Sequence, residues 1–337
     1  MNMADAATLI DLIGSGWKTQ AVYAAAELRL PDLLADGPHD TATLATATGC
    51  PAPPLRRLLR ALCSLGVCEA LGGDRFALSP VGQLLREGTQ PSLRAQALWW
   101  GKYLWPVWGQ LLGSVRTGVS ARRLAGSQTY GHVRDDAQAA AVFHQAMVDL
   151  TRLVADEVAR AGDFAGARHV VDVGGGHGEL LFAVLAAHPG LQGTLFDTPQ
   201  VADGARARIR VAGLAARCDF VAGDFCRAVP DGADVYLLKS ILHNWDDDRC
   251  ALILGHCRRA LAAGGRVVLV ERVMPEQLEG TRSEQSVMRS DLNMLVGLEG
   301  CERTAAEFTA LLDCASFAAP RFTPTATDFT IIECTAR

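Results

Sequence analysis

The chain reads as an α/β protein in two parts. The C-terminal part is a mostly parallel sheet with an antiparallel edge hairpin; the N-terminal part is mainly helical. Three observations predict this. From Arg168 onward, short apolar runs alternate with amphipathic ones, the βαβα order that builds a parallel sheet covered on both faces. Before residue 166, apolar residues recur at helical spacing. The chain has 337 residues, 49% hydrophobic and 20% charged, which suits about two domains of roughly 100–200 residues, each with a real core.

The elements follow in order. Leu9, Ile10, Leu12, Ile13 and Trp17 lie at helical spacing, and Val22, Ala26, Leu28 and Leu30 continue the stripe. So apolar a helix needs a partner, in this chain or another. Thr41–Ala45 predicts a short helix, and Leu55–Leu62 a second one after Pro51, Pro53 and Pro54. Gly72-Gly73-Asp74 between two short β-like runs predicts a hairpin. Helix, turn, helix and hairpin make a winged-helix outline, suited to DNA binding or to dimerisation. Residues 92–165 read as further helix, with an aromatic cluster at Trp99, Trp100, Tyr103, Trp105 and Trp108. Phe143 and Met147 follow at i, i+4 spacing. Such a cluster is core packing or the wall of a pocket for a flat apolar ligand. The predicted strands of the second part are His169–Val173, Gly193–Asp197, Asp219–Ala222, Asp234–Lys239 and Arg266–Glu271. Helical runs at 179–187, 199–212 and 246–262 separate them, and Arg321–Thr323 with Phe329–Cys334 forms the edge pair. The expected division is a helical winged-helix-like domain over 1–100, a helical connector over 101–165 and the sheet domain over 166–337.

Charge narrows the function. Residues 1–165 carry fifteen basic and fifteen acidic side chains; the remainder carries seventeen and twenty-two, the whole net charge of −5. Neither part has the basic excess of a protein that binds phosphate backbones, so no nucleic-acid partner is expected. The ten cysteines include no CxxC pair and sit in apolar segments, as reduced thiols of a cytoplasmic protein do. The histidines show no ligand spacing, so no metal site is expected. No secretory signal or membrane-spanning run is visible.

The strongest local feature is Val171-Asp172-Val173-Gly174-Gly175-Gly176-His177-Gly178, between the first strand and its helix. Glycines there let the backbone turn tightly and a ligand approach closely. A dinucleotide fingerprint wants a further glycine where this chain has Glu179, and no P-loop lysine is present. Asp197 ends the second strand, placed to accept from ribose hydroxyls. Asp224 and Phe225 follow the third, suited to an adenine amino group and its ring. With Asp172, these carboxylates suit a cation better than a pyrophosphate. They favour S-adenosylmethionine, a sulfonium with an ammonium, over a nicotinamide dinucleotide.

The sequence resembles the two-domain, class I S-adenosylmethionine-dependent O-methyltransferases, which act on phenols and aromatic natural products. They include the plant caffeic acid and flavonoid enzymes and bacterial polyketide and phenazine tailoring enzymes. The matching stretches are DVGGGHG at 172–178, FDTPQV at 196–201, GDF at 223–225, LLKSILHNW at 237–245, VERVMPE at 270–276 and GCERTAAEF at 300–308. The resemblance implies a Rossmann-like methyltransferase domain behind a winged-helix-like dimerisation domain, and a homodimer. It implies that Gly174, Gly175 and Gly176 cradle the methionine part of the cofactor, Asp197 its ribose, Asp224 and Phe225 its adenine. Lys239 lies near the cofactor, His243 is the general base, and Glu271 and Glu302 are the acids beside it. Phe143, Met147 and Met294 are the acceptor contacts by motif position.

The chemistry needs these residue types. Methyl transfer to oxygen is an in-line displacement, and a phenol with a pKa near 10 needs a base at neutral pH. Histidine, ordinarily near 6.5, fits, and a carboxylate fixes its tautomer. On residues alone, His243 could equally be a residue that merely precedes a helix begun by Asp246–Asp248, and Glu302 a solvated neighbour of Arg303. Three departures from the family pattern bear on the acceptor side. Asn244 stands where aspartate is usual, Glu299-Gly300-Cys301 where two glycines and a basic residue are usual, and the 291–302 stretch is a residue shorter. Alternatives keep the fold and cofactor but methylate carbon or nitrogen, or carry out hydroxylation or decarboxylation. A ligand-responsive DNA-binding protein and a dehydrogenase complete the set.

Overall fold

The computed structural model describes residues 2–126 and 135–337. It divides into two compact units. The first comprises Met1–Pro106 and His132–Leu150, the second Val107–Gly131 and Thr151–Arg337.

The first unit begins with α1 (Met3–Gly14) and α2 (Gly16–Glu27), then α3 (Leu30–Leu33). The single stripe read from Leu9 to Leu30 is thus three helices, broken at Ser15 and at Arg29, whose φ is +55°. Strand β1 (His39–Asp40), helices α4 (Thr41–Thr48) and α5 (Ala52–Ser64), and strands β2 (Cys68–Ala70) and β3 (Arg75–Leu78) follow. The three strands form an antiparallel sheet in the order β1-β3-β2. Gly72, Gly73 and Asp74 all take positive φ in the hairpin turn. This is the winged-helix outline, cored by Leu30, Leu44, Leu55, Leu59, Leu62 and Phe76. After α6 (Pro80–Gln83) and α7 (Arg94–Leu98), Trp99–Leu104 winds as a π-helix. Trp99 stacks on Tyr103 at 5.4 Å and tilts against Phe143 at 5.0 Å.

The second unit takes up α8 (Trp105–Trp108) from Val107, then α9 (Leu111–Thr117) and α10 (Ala121–Leu124). Helix α11 (Ala137–Ala161) enters it at Thr151. Its sheet holds β4 (His169–Val173), β5 (Gln192–Asp197), β6 (Cys218–Ala222), β7 (Val235–Lys239), β8 (Arg266–Glu271), β11 (Arg321–Pro324) and β12 (Thr330–Thr335). The order is β11-β12-β8-β7-β4-β5-β6. Strands β4 to β8 are parallel, and β12 and β11 close the edge antiparallel. Side chains alternate between two buried faces, as a doubly covered sheet requires. Val170, Leu195, Leu237 and Val268 pack on α11, α12 (Glu179–Ala187) and α13 (Ala202–Val211). Val171, Val173, Tyr236, Leu238 and Leu269 pack on α14 (Asp247–Ala260) and a later helix at Ala305–Cys314. Each fully buried Leu or Val contributes about 1.5–3 kcal/mol.

The chain leaves β4 toward β5 and β6 on one side and returns to β7 and β8 on the other. The crevice beyond the carboxyl ends of β4 and β7 is where such sheets take ligands. The last pieces are β9 (Val273–Met274), α15 (Arg282–Gly297), β10 (Arg303–Thr304) and α16 (Ala305–Cys314). Strand β10 runs parallel to β9, pairing Arg303 with Val273. Among the described residues, no helix is long and apolar enough to cross a membrane.

Candidate active site

The glycine loop leaves β4 in a tight, left-handed path. Gly174 has φ of +71° and Gly176 +55°. A Cβ on Gly174 would lie 2.4 Å from Ile241 Cδ1, and one on Gly175 2.7 Å from Asp172 Oδ2. Real Cβ atoms do not come that close, so residue 175 is glycine because the Asp172 carboxylate lies against it. The Gly176 N–H donates to Asp197 Oδ2 at 2.9 Å, and the Thr198 N–H to Oδ1 at 2.6 Å. The end of β5 is thereby tied to the loop. Asp224, half exposed, accepts from the Cys226 N–H at 2.9 Å. Phe225 stands edge-on to Trp245 at 6.1 Å, and a Cβ on Gly174 would lie 3.5 Å from its ring. The Trp245 indole Nε1 is buried without a hydrogen-bond partner.

Asp172 is 2% exposed. Burial, helped by the charge of Asp197, pushes its carboxyl up to about 7. Burial likewise lowers the Lys239 ammonium to about 8, with Arg272 adding to the shift. That ammonium lies 4.5 Å over the Phe329 ring. A ligand cation entering here would therefore meet carboxylates that gain from its charge. Glu179, where a dinucleotide fold wants glycine, is engaged by the guanidinium groups of Arg152 and Arg208. The start of α12 thus holds a paired glutamate in place of the glycine through which a pyrophosphate approaches, and the carboxylates Asp172, Asp197 and Asp224 suit a cationic nucleoside.

The second half of the site stands on the turn after β7. Ser240 takes φ of +54°. The Asn244 side-chain amide donates to the Ser240 carbonyl at 2.9 Å, a bond an aspartate could not donate. The N–H groups of Ile241 and Leu242 both donate to Glu271 Oε1 at 2.9 Å. His243 follows, 7% exposed, in a 3₁₀ turn. Asp246 is the N-cap of α14, accepting from the Arg249 N–H at 2.9 Å, so the acids after His243 do serve the helix start. His243 is turned instead toward Glu302: Nδ1 lies 2.9 Å from Glu302 Oε1 and 4.0 Å from Glu271 Oε2.

Glu302, 4% exposed, is not solvated. Ser290 Oγ donates to its Oε1 at 2.5 Å, and its N–H donates to Asp291 Oδ1 at 2.9 Å. Burial works against the Glu302 anion, but the His243 ring and Ser290 hydroxyl outweigh it and hold the carboxyl below its ordinary range. Burial pushes the Glu271 carboxyl the other way, above its ordinary range, with His243 opposing. An ionised Glu302 makes Nδ1 the protonated nitrogen of His243 and leaves Nε2 as a lone-pair acceptor. Arg303, 2% exposed, donates to the carbonyls of Leu242 at 3.1 Å and Trp245 at 2.8 Å, and to Asp247.

Sequence reasoning had singled out His243, Glu271 and Glu302, and the fold brings them together. Their ligand-type atoms all lie within 4.8 Å of one another, a set chemically able to hold a divalent ion, formed by residues with no ligand spacing in the sequence. The supporting residues Ser290, Asp291, Arg303 and Trp245 were not read as functional; of these, Trp245, inside the LLKSILHNW stretch, and Arg303, inside the GCERTAAEF stretch, carried only the signal of their motif. Met294 is buried on α15, three residues beyond Asp291. Phe143 and Met147 lie in the first unit.

Known proteins resemble this chain over nearly its whole length. A family described as O-methyltransferase domain matches residues 108–318, and one described as O-methyltransferase dimerisation domain matches residues 10–88. A phenazine O-methyltransferase of Lysobacter antibioticus is 40% identical, over 96% of this chain and 94% of that protein. A phenazine-1-carboxylate N-methyltransferase of Pseudomonas aeruginosa is 33% identical, over 95% and 94%. The structure of human N-acetylserotonin methyltransferase in complex with S-adenosylmethionine superposes with a TM-score of 0.91 at 27% identity, over 100% of this chain and 98% of that one.

Proposed function

The chain belongs to the O-methyltransferase family, and on that premise we propose that His243 is the base through which it methylates a hydroxyl group of an aromatic small molecule. Its cofactor is S-adenosylmethionine. The observation that carries the proposal is the buried Nδ1 contact of His243 with Glu302, 2.9 Å, which leaves Nε2 to take a proton.

When bound, the cofactor supplies an already activated methyl group on a sulfonium. The protein's tasks are to align the acceptor oxygen and to remove its proton. Gly174, Gly175, Gly176, Asp172 and Lys239 would hold the amino-acid end, Asp197 the ribose, Asp224 and Phe225 the adenine. His243 Nε2 takes the hydroxyl proton, and the imidazolium that forms is stabilised by the Glu302 carboxylate. Glu271 fixes the Ile241–Leu242 backbone that aims the ring. Met294, Phe143 and Met147 are proposed as acceptor contacts from motif position. We also propose that residues 1–100 serve dimerisation, 101–165 the acceptor pocket and 166–337 the transfer. The exposed apolar face of α1 supports a homodimer. A cytoplasmic setting is supported by ten free cysteines, five of them buried.

The test is transfer of label from methyl-labelled S-adenosylmethionine to a panel of phenolic and polyketide acceptors, read by product mass. A gain of one methyl that is lost on ether cleavage supports the reading; no transfer to any acceptor overturns it. A second reading, methylation at nitrogen, is favoured by the name of the Pseudomonas relative. It would give a product whose added methyl resists ether cleavage.

A further inference from the structure

Glu299 stands where its backbone disfavours it. Its φ is +71°, the left-handed region in which a Cβ is crowded. The family resemblance leads one to expect glycine there. The N–H groups of Leu298 and Glu299 both donate to the Met294 carbonyl at 2.8 Å and end α15. The Glu299 side chain, a quarter exposed, then reaches α10. One carboxylate oxygen accepts from the Ser120 N–H and the other from the Arg123 guanidinium, each at 2.9 Å. The next residue, Gly300, presses on the His243 turn: a Cβ there would lie 2.0 Å from the His243 carbonyl oxygen. Ser290, Asp291 and Asn293, in the turn that leads to Met294, hold the same helix in place. Asn293 accepts from Trp108 Nε1 at 3.1 Å, and Ser290 and Asp291 bond Glu302.

We infer that Glu299 is a positioning residue for the acceptor: it clamps the Ser120–Arg123 segment to the end of α15, beside Met294, and thereby fixes the wall against which the acceptor is aligned. This rests on the proposed O-methyl transfer. The acids of His243 have their own supports in Ser290, Asp291 and the Ile241–Leu242 backbone. Losing the clamp therefore loosens acceptor alignment and leaves proton removal and cofactor binding as they were.

The experiment compares Glu299→Gly, Glu299→Gln and Arg123→Ala with wild type. Glycine relieves the left-handed strain while removing both bonds, so stability and function separate. For Glu299→Gly we expect an unchanged or higher Tm and an acceptor KM raised about tenfold, the scale of one charge-assisted hydrogen bond. The S-adenosylhomocysteine Kd and the midpoint of the pH–rate profile stay as in wild type. Glu299→Gln keeps one acceptor oxygen and puts an NH2, a donor, where the second oxygen accepted, so it loses one of the two bonds and its KM lies between those of wild type and Glu299→Gly. Arg123→Ala raises KM in the same direction, and the double variant Glu299→Gly/Arg123→Ala is no worse than Glu299→Gly. An unchanged acceptor KM in Glu299→Gly overturns the inference. So does a lower Tm accompanied by equal losses in kcat and cofactor binding, which would make the residue purely structural. Absence of methyl transfer by wild type instead overturns the underlying reading.

Discussion

His243 sits between two opposing influences. Burial favours its neutral ring, but Glu302 first and Glu271 second outweigh burial and raise its pKa above the ordinary 6.5. The base must be neutral to take a proton, so activity is present above that raised pKa and is lost as pH falls through it. The stability contributed by the charged pair has the opposite sign. It is fully present below the unfolded value near 6.5 and fades as pH rises through the folded one. Catalysis and this part of stability therefore run in opposite directions over the same window. Glu302→Gln removes the main raising influence; the acid limb of kcat/KM for the acceptor should shift to lower pH while the plateau falls. His243→Ala should lower kcat by about 10²–10⁴-fold, the range of general base catalysis. A pH–rate profile of the two variants checks both, and an acid limb that stays put in Glu302→Gln would remove Glu302 from this role.

At the scale of elements, the active turn is held by contacts from both sides. Gly300 packs against the His243 carbonyl, and Arg303 ties the carbonyls of Leu242 and Trp245. Gly300→Ala forces a backbone shift in a packed region. We expect a loss of about 1–3 kcal/mol in denaturant-measured stability and a larger proportional loss in kcat; a variant as stable and active as wild type would show that the turn has slack. What was legible in the sequence follows from the same distinction. Strands β4 to β8 were readable because each is an apolar run bounded by polar residues and carries its own signal. Asp197, Asp224 and His243 were readable because they end or follow such runs. Ser290, Asp291 and Arg303 were not. Their roles depend on which face α15 presents and on β9 and β10, strands of two residues each, too short for any period. On residues alone Glu302 reads equally as a solvated neighbour of Arg303, yet both are buried. The π-helix at Trp99–Leu104 read as ordinary helix because its six residues make little more than one turn, too short a stretch to show a period of its own.

At the scale of the whole molecule, α1 has no buried residue. Leu9, Ile10, Leu12 and Ile13 are 57%, 68%, 66% and 77% exposed. A face of this kind commonly marks an interface, and the match of residues 10–88 to a dimerisation domain covers Ile10, Leu12 and Ile13. Ile10→Glu with Ile13→Glu should convert a dimer into a monomer at micromolar concentration by light scattering; an unaltered dimer would place the contact elsewhere. The sheet unit has a different vulnerability. Glu302 and Arg303 are consecutive residues at the start of the β9–β10 pairing, one bound to the imidazole and the other to the backbone that carries it. In an extended chain neighbours point to opposite sides, so a one-residue slip would exchange them. A guanidinium would then face the base, and a carboxylate would face two carbonyl oxygens. Both contacts would turn repulsive together. The pair therefore accepts one register alone, so a change of length in the preceding turn has to be taken up within that turn.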